Sequence, residues 1–245
     1  MKNFLKKKNK KKKNKLPDKI LVIPNPDKIF HEKWISGRNM LNVPHPYRTI
    51  IFSEPNMGKT NLIKNIILRA NPPFKNIIVC HYDGDISNED DHTLEYDDLG
   101  DIIMIDNIPD PRNQKIFDKK EKSLIIFDDM EFEYISKNEK KYLDRLFGYS
   151  STHKNQSIIL CAQNYISIPK AVRRMCNFMI MFKLADDDLL DKISKKIHIE
   201  KSKFKELIKN TLIDVHDSLW FDMTLNTPYK LRRNGYEIID INKYL

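Results

Sequence analysis

Residues 53–60 read SEPNMGKT, one residue away from G-x-x-x-x-G-K-[ST], the pattern of a loop that cradles phosphates. In such a loop successive backbone N–H groups point inward at phosphate oxygens. A lysine reaches the β and γ phosphates, and a hydroxyl holds Mg²⁺. Gly58, Lys59 and Thr60 fill the last three places, while Ser53 stands where the first glycine is expected. Glu54, Pro55, Asn56 and Met57 complete the candidate cradle for ATP. Serine is small, so the expected cost is altered affinity and not loss of the site.

Three further segments carry chemistry. LIIFDD (124–129) ends an apolar run in Asp128, a carboxylate at the C-terminal edge of a central strand, where ligands gather in open α/β sheets. There Asp128 would hold Mg²⁺ together with Thr60. Asp129 follows, placed to orient or deprotonate the attacking water, with Glu131 and Glu133 as substitutes. IILCAQ (158–163) ends in Gln163, a polar exception to an apolar strand. A buried amide needs partners, and a γ-phosphate and lytic water would supply them; a satisfied structural glutamine is the alternative. Finally, Arg173 and Arg174 lie in IPKAVRRMC (168–176). In a ring of subunits, Arg173 in preference to Arg174 would reach a neighbour's γ-phosphate. A surface ion pair or a DNA contact is the plainer reading.

These residues need a scaffold, and the pattern around them supplies one. TIIFS (49–53), NIIVCHY (76–82), IIMID (102–106), SLIIFDDM (123–130), SIILCAQN (157–164) and NFMIMFKL (177–184) are near-continuous apolar runs, as strands buried on both faces show. Helical spacing appears in 59–70, 138–148, 187–197 and 201–212. The alternation predicts an α/β fold of the P-loop NTPase type, a mostly parallel sheet with helices on both faces. Asn234-Gly235 predicts a C-terminal β-hairpin. KILVIP (19–24) reads as an edge strand, and residues 25–47 as irregular structure laid over the domain.

The chain has 245 residues, enough for one such domain with additions. We divide it into a lysine-rich arm (1–15), an N-terminal strand and irregular segment (16–47), and the ATPase domain (48–245). The arm holds nine lysines and no acid, so the formal +9 belongs entirely to it. Such a block repels itself and is expected to be disordered, with three uses: contact with a polyanion, nuclear import, or solubility. The acidic stretch from Asp83 to Asp101 matches no calcium-loop spacing and reads as a solvated surface loop. Cys80, Cys161 and Cys176 are unclustered and read as buried thiols. No apolar run approaches the length of a membrane span, and no secretory signal is visible, so an intracellular setting is expected.

Taken together these segments resemble the genome-packaging ATPases of large DNA viruses and virophages, a branch of the FtsK–HerA superfamily of P-loop motors. The resemblance runs from Arg48 to Asp222 and rests on SEPNMGKT, LIIFDDM, STHKNQSIILCAQ, IPKAVRR and HDSLWFD. The paired aspartates fit this branch, and the length and lysine-rich start are most similar to the virophage members. Ser53 departs from the motif, as does Thr152, which precedes His153 where the family is expected to carry arginine. The resemblance implies ATP hydrolysis with Mg²⁺, a homo-oligomeric ring (a hexamer or similar), double-stranded DNA as the cargo, and a capsid or portal partner. The implied setting is a virus factory or virion. Two rival readings are a nucleotide-gated DNA-binding or assembly protein with little hydrolysis, and a nucleotide or nucleoside kinase.

Overall fold

Six of the apolar runs become strands of one sheet in the computed structural model. It describes residues 41, 43–81, 96, 99, 102–113, 121–128, 130, 132–184, 186–224 and 230–244. The lysine arm, the expected strand at 19–24, most of the acidic stretch, Asp129 and Glu131 lie outside the described residues.

In chain order the strands are β1 (Arg48–Phe52), β2 (Asn76–His81), β3 (Ile102–Ile105), β4 (Ser123–Asp128), β5 (Gln156–Ala162), β6 (Phe178–Phe182), β7 (Ser218–Asp222), β8 (Leu231–Arg233) and β9 (Glu237–Ile238). The sheet order is β3-β2-β4-β5-β1-β6-β7-β8-β9. The first six in this order are parallel, and β7 to β9 close the far side antiparallel. Parallel strands demand cover on both faces, and the apolar alternation provides it. Ile50, Phe52, Ile125, Phe127, Ile158 and Leu160 face one cluster; Ile51, Ile126, Ile159 and Cys161 face the other.

The second face is covered by α1 (Lys59–Leu68), through Ile63, Ile66 and Ile67, and by Val43, Tyr47 and Trp220. The first face carries α2 (Lys137–Arg145), α3 (Lys170–Met175), α4 (Asp187–Ile197) and α5 (Lys201–Thr211). A capping box between Ser136 and Glu139 starts α2. The helix was expected to stop at 148. Instead it passes Gly148 through a π-helical turn (Leu146–Ser150) and ends after Ser151–His153. A side chain at 148 would meet Met175 Sδ at 3.2 Å, so the glycine lets this turn approach α3. The sequence reading missed α3 altogether. The three cysteines are buried free thiols, and burial pushes Cys176 up to about 12. No helix among the described residues is long and apolar enough to cross a membrane.

His45 secures the covering segment to the start of β5. Ser157 Oγ accepts the Tyr47 N–H at 3.1 Å and lies 2.7 Å from His45 Nδ1, while His45 Nε2 faces Asn155 Oδ1 at 2.8 Å. These partners fit a neutral ring with the proton on Nε2. Burial pulls its pKa from 6.5 down to about 4. Below pH 6.5 the unfolded chain takes up a proton that the folded chain refuses, so the contribution is whole above 6.5 and is lost as pH falls towards 4. We expect the unfolding free energy from denaturant titrations to drop across this window by up to about 3 kcal/mol. In His45→Gln that step should vanish from the pH profile.

Candidate nucleotide site

The phosphate-loop residues connect β1 directly to α1, the strand–loop–helix context that the motif requires. Left-handed backbone falls at Asn56 (φ 61°) and Gly58 (φ 91°), not at Ser53. Glycine is therefore not required by backbone conformation at the first position. Ser53 is fully buried, and its hydroxyl donates to the Glu54 carbonyl at 2.8 Å. The departure from the motif is absorbed inside the loop.

Gly58 is the N-cap of α1, with no side-chain cap and no acidic residue in the first turn. An uncapped helix start directs N–H groups and a positive dipole end at the loop, which suits an anion. Lys59 is buried to 9% exposure, and its Nζ donates to the Glu54 carbonyl at 3.4 Å. The ammonium is thus held over the loop by its own backbone, at a length that an incoming phosphate oxygen can outcompete. Glu54, Pro55 and Asn56 are exposed; Met57, Gly58 and Thr60 are half-buried.

Register places the other candidates on the same edge. Phe52 pairs with Ala162, so Gln163 leaves β5 beside the start of the loop. Phe127 pairs with Leu160, which brings Asp128, the last residue of β4, to the same end. β5 lies between β1 and β4, so the Gln163 tip stands between the loop and the carboxylate. Gln163 is exposed, which corrects the expectation of a buried amide that must find partners. It projects from the strand tip into the open edge and borders a cavity of about 340 Å³ with Met130, Glu133 and Asn164.

Asp128 is only 3% exposed, and Tyr96 donates its hydroxyl to Oδ2 at 2.6 Å. Tyr96 is a functional candidate that the sequence reading missed. It sits 32 residues upstream in the acidic stretch, with no local signal. A hard carboxylate near a hydroxyl at the loop is the donor set that Mg²⁺ takes alongside phosphate oxygens and water. Residues of these types fit Mg²⁺, and Asp128 and Thr60 are the ones that would hold it. Asp129, the expected water-activating base, lies outside the described residues.

No contact links Arg173 to the loop, to Asp128 or to Gln163 among the described residues, though the Tyr165 ring it stacks on packs against Phe52 at 5.4 Å. Arg173 occupies the last turn of α3, which leads into the start of β6, and its guanidinium stacks on Tyr165 at 5.2 Å. Lys196 Nζ donates to its carbonyl. Arg174, next to it, is exposed.

The HDSLWFD segment also meets the loop. His216 Nδ1 lies 3.3 Å from the Met57 carbonyl, across 159 residues of sequence. Asp217 holds this turn by accepting from the backbone N–H of Ile213 and Asp214, from Arg233 at 2.8 Å and from Asn234 at 2.8 Å. Burial opposes its ionisation, but the Arg233 and Asn234 hydrogen bonds win and hold its carboxyl down at about 2.

Loop, helix start, Asp128 and Gln163 on one edge of a mostly parallel sheet belong to the α/β fold of a P-loop NTPase. Solved structures with this fold include the DNA-packaging ATPase B204 from Sulfolobus turreted icosahedral virus, with TM-score 0.55 and 16% identity over 77% of this chain and 97% of that one. The genome-packaging NTPase B204 from Sulfolobus turreted icosahedral virus 2 is similar in complex with AMPPCP (TM-score 0.54, 17% identity, 76% and 96% covered). It is similar also in complex with ATP-gammaS (0.52, 15%, 79% and 98%). What the chain shares with them at these identities is the fold. Neither a protein-family model nor a curated protein sequence matches the chain.

Proposed function

We propose that this chain is an ATP-hydrolysing motor that moves double-stranded DNA into a viral capsid. The observation that carries the reading is the placement of β5, whose tip sets Gln163 between the Lys59 loop and the Asp128 carboxylate. A side chain at that point would meet the terminal phosphate and the attacking water, as hydrolysis requires and as simple binding does not. Lys59 and the loop amides would bind the phosphates. Thr60 and Asp128 would hold Mg²⁺, which when bound draws charge from the β and γ phosphates. Asp129 would orient the water, and Gln163 would register the γ-phosphate.

DNA cargo, a capsid or portal partner and a homo-oligomeric ring of six or a similar number rest on the sequence resemblance, with the DNA- and genome-packaging B204 proteins in support of the cargo. The nine lysines of residues 1–15 suit a contact with duplex phosphates by counterion release. The setting would be a virus factory or virion. In a ring, an arginine acting in trans must leave its own subunit. The exposed Arg174 does so without giving up a contact such as the stacking of Arg173 on Tyr165.

The test is ATP turnover with and without duplex DNA, alongside the oligomeric state under the same conditions. We expect DNA to raise turnover several-fold, with the stimulation fading as salt rises. Turnover that ignores DNA at low salt, from a monomer, would remove the motor reading.

A further inference from the structure

The polarity of a bound triphosphate follows from the site. Its terminal phosphate must lie toward β5 and β4, where Gln163 and Asp128 stand, so its nucleoside must leave the loop on the β6 side. On that side a groove of about 580 Å³ opens against Met57 and Gly58, within the size range of small-ligand sites. Its walls are the turn that carries His216 and the β8–β9 turn that carries Asn234 and Tyr236, with Trp220 behind. Among the described residues that line it, none is acidic, and the one cation, Arg69, is the C-cap of α1, at the end of the helix farthest from the loop. Neutral amides, an imidazole and aromatic rings suit an uncharged purine nucleoside better than a second anion.

The groove is also built to keep its shape. Asp217 accepts hydrogen bonds from Arg233 and Asn234, so one carboxylate ties the His216 wall to the Tyr236 wall. Gly235, at φ 82°, lets the indole of Trp220 pack so closely that an added Cβ would meet it at 3.0 Å. Against this fixed frame Tyr236 stays 72% exposed, a large aromatic ring at the groove with open space before it.

Resting on the nucleotide-site reading above, we propose that this groove is the nucleoside subsite and that Tyr236 is its stacking platform for the base. His216 forms the wall between base and phosphates, and its bond to the Met57 carbonyl ties the two halves of the site together. Base–aromatic stacking of this kind changes affinity by about tenfold.

The experiment compares Mg²⁺–ATP with inorganic tripolyphosphate, which has the phosphates and no base, by calorimetry on the full chain. Tyr236→Ala is expected to weaken ATP binding about tenfold and leave tripolyphosphate binding unchanged, while Tyr236→Phe retains wild-type affinity for both. The ring is exposed, so the thermal midpoint of Tyr236→Ala should stay near that of the wild type. Unchanged ATP affinity in Tyr236→Ala, or an equal loss for both ligands, overturns the subsite. If the wild type binds neither ligand, or if Lys59→Ala binds both as the wild type does, the nucleotide-site reading fails and the subsite goes with it.

Discussion

Lys59→Ala is expected to reduce ATP hydrolysis by at least about 100-fold while the protein stays folded. The ammonium is the only side-chain cation supplied by the loop, and it is nearly enclosed by the loop's own backbone. As the bond to the leaving oxygen breaks, its electron pair builds charge on the β–γ bridging oxygen, so a fixed cation beside the β and γ phosphates stabilises the transition state more than the ground state. Removing it should lower the turnover rate more steeply than the affinity for ATP. The fold should survive for a local reason. Lys59 is the first residue of α1, and its side chain makes one long bond to Glu54 instead of filling the core. Alanine is also the strongest helix former. Turnover and ATP affinity measured on the same preparation, with a melting curve beside them, check all three expectations. Wild-type turnover in Lys59→Ala would remove the assignment of the loop.

How much of this could be read in the chain depends on the range of the interaction. Five of the six parallel strands announce themselves because each is buried on both faces and so is apolar almost without break. The sixth, β3, is half-exposed at the sheet edge and was still visible as IIMI. The loop is a local pattern, and its strand and helix neighbours were legible independently of it. Helix α3 was not, because only Val172 of its six residues is buried and so no apolar period exists to be read. The helical spacing was legible only to residue 148, whereas the chain continues through a π turn beside Met175. Strand order, the exposure of Gln163, the Tyr96 hydroxyl on Asp128 and the His216 contact on Met57 all depend on residues far apart in sequence. No spacing encodes them. Ser53 is the opposite case, a residue that broke a pattern but not the backbone conformation behind it.

Asp128→Asn is expected to lower Mg²⁺-dependent hydrolysis by about 100-fold or more and to leave the melting temperature unchanged or raised. The two halves of this expectation share a cause. A carboxylate at 3% exposure is costly to keep charged without partners, and the Tyr96 hydroxyl is one of those that hold it. A buried carboxylate at a strand tip beside the loop is also a hard oxygen donor of the kind a divalent cation takes when nucleotide binds. Asparagine keeps the shape, and its carbonyl can still accept from Tyr96, but it brings no charge to the metal. Adding Mg²⁺–ATP should therefore raise the melting temperature of the wild type by more than that of the variant, and half-maximal turnover in the variant should need more Mg²⁺. Tyr96→Phe should show a weaker form of the same metal defect, because it frees the carboxylate to turn without removing its charge. If Asp128→Asn melts well below the wild type yet hydrolyses ATP with unchanged Mg²⁺ dependence, the carboxylate serves the strand end and not the metal.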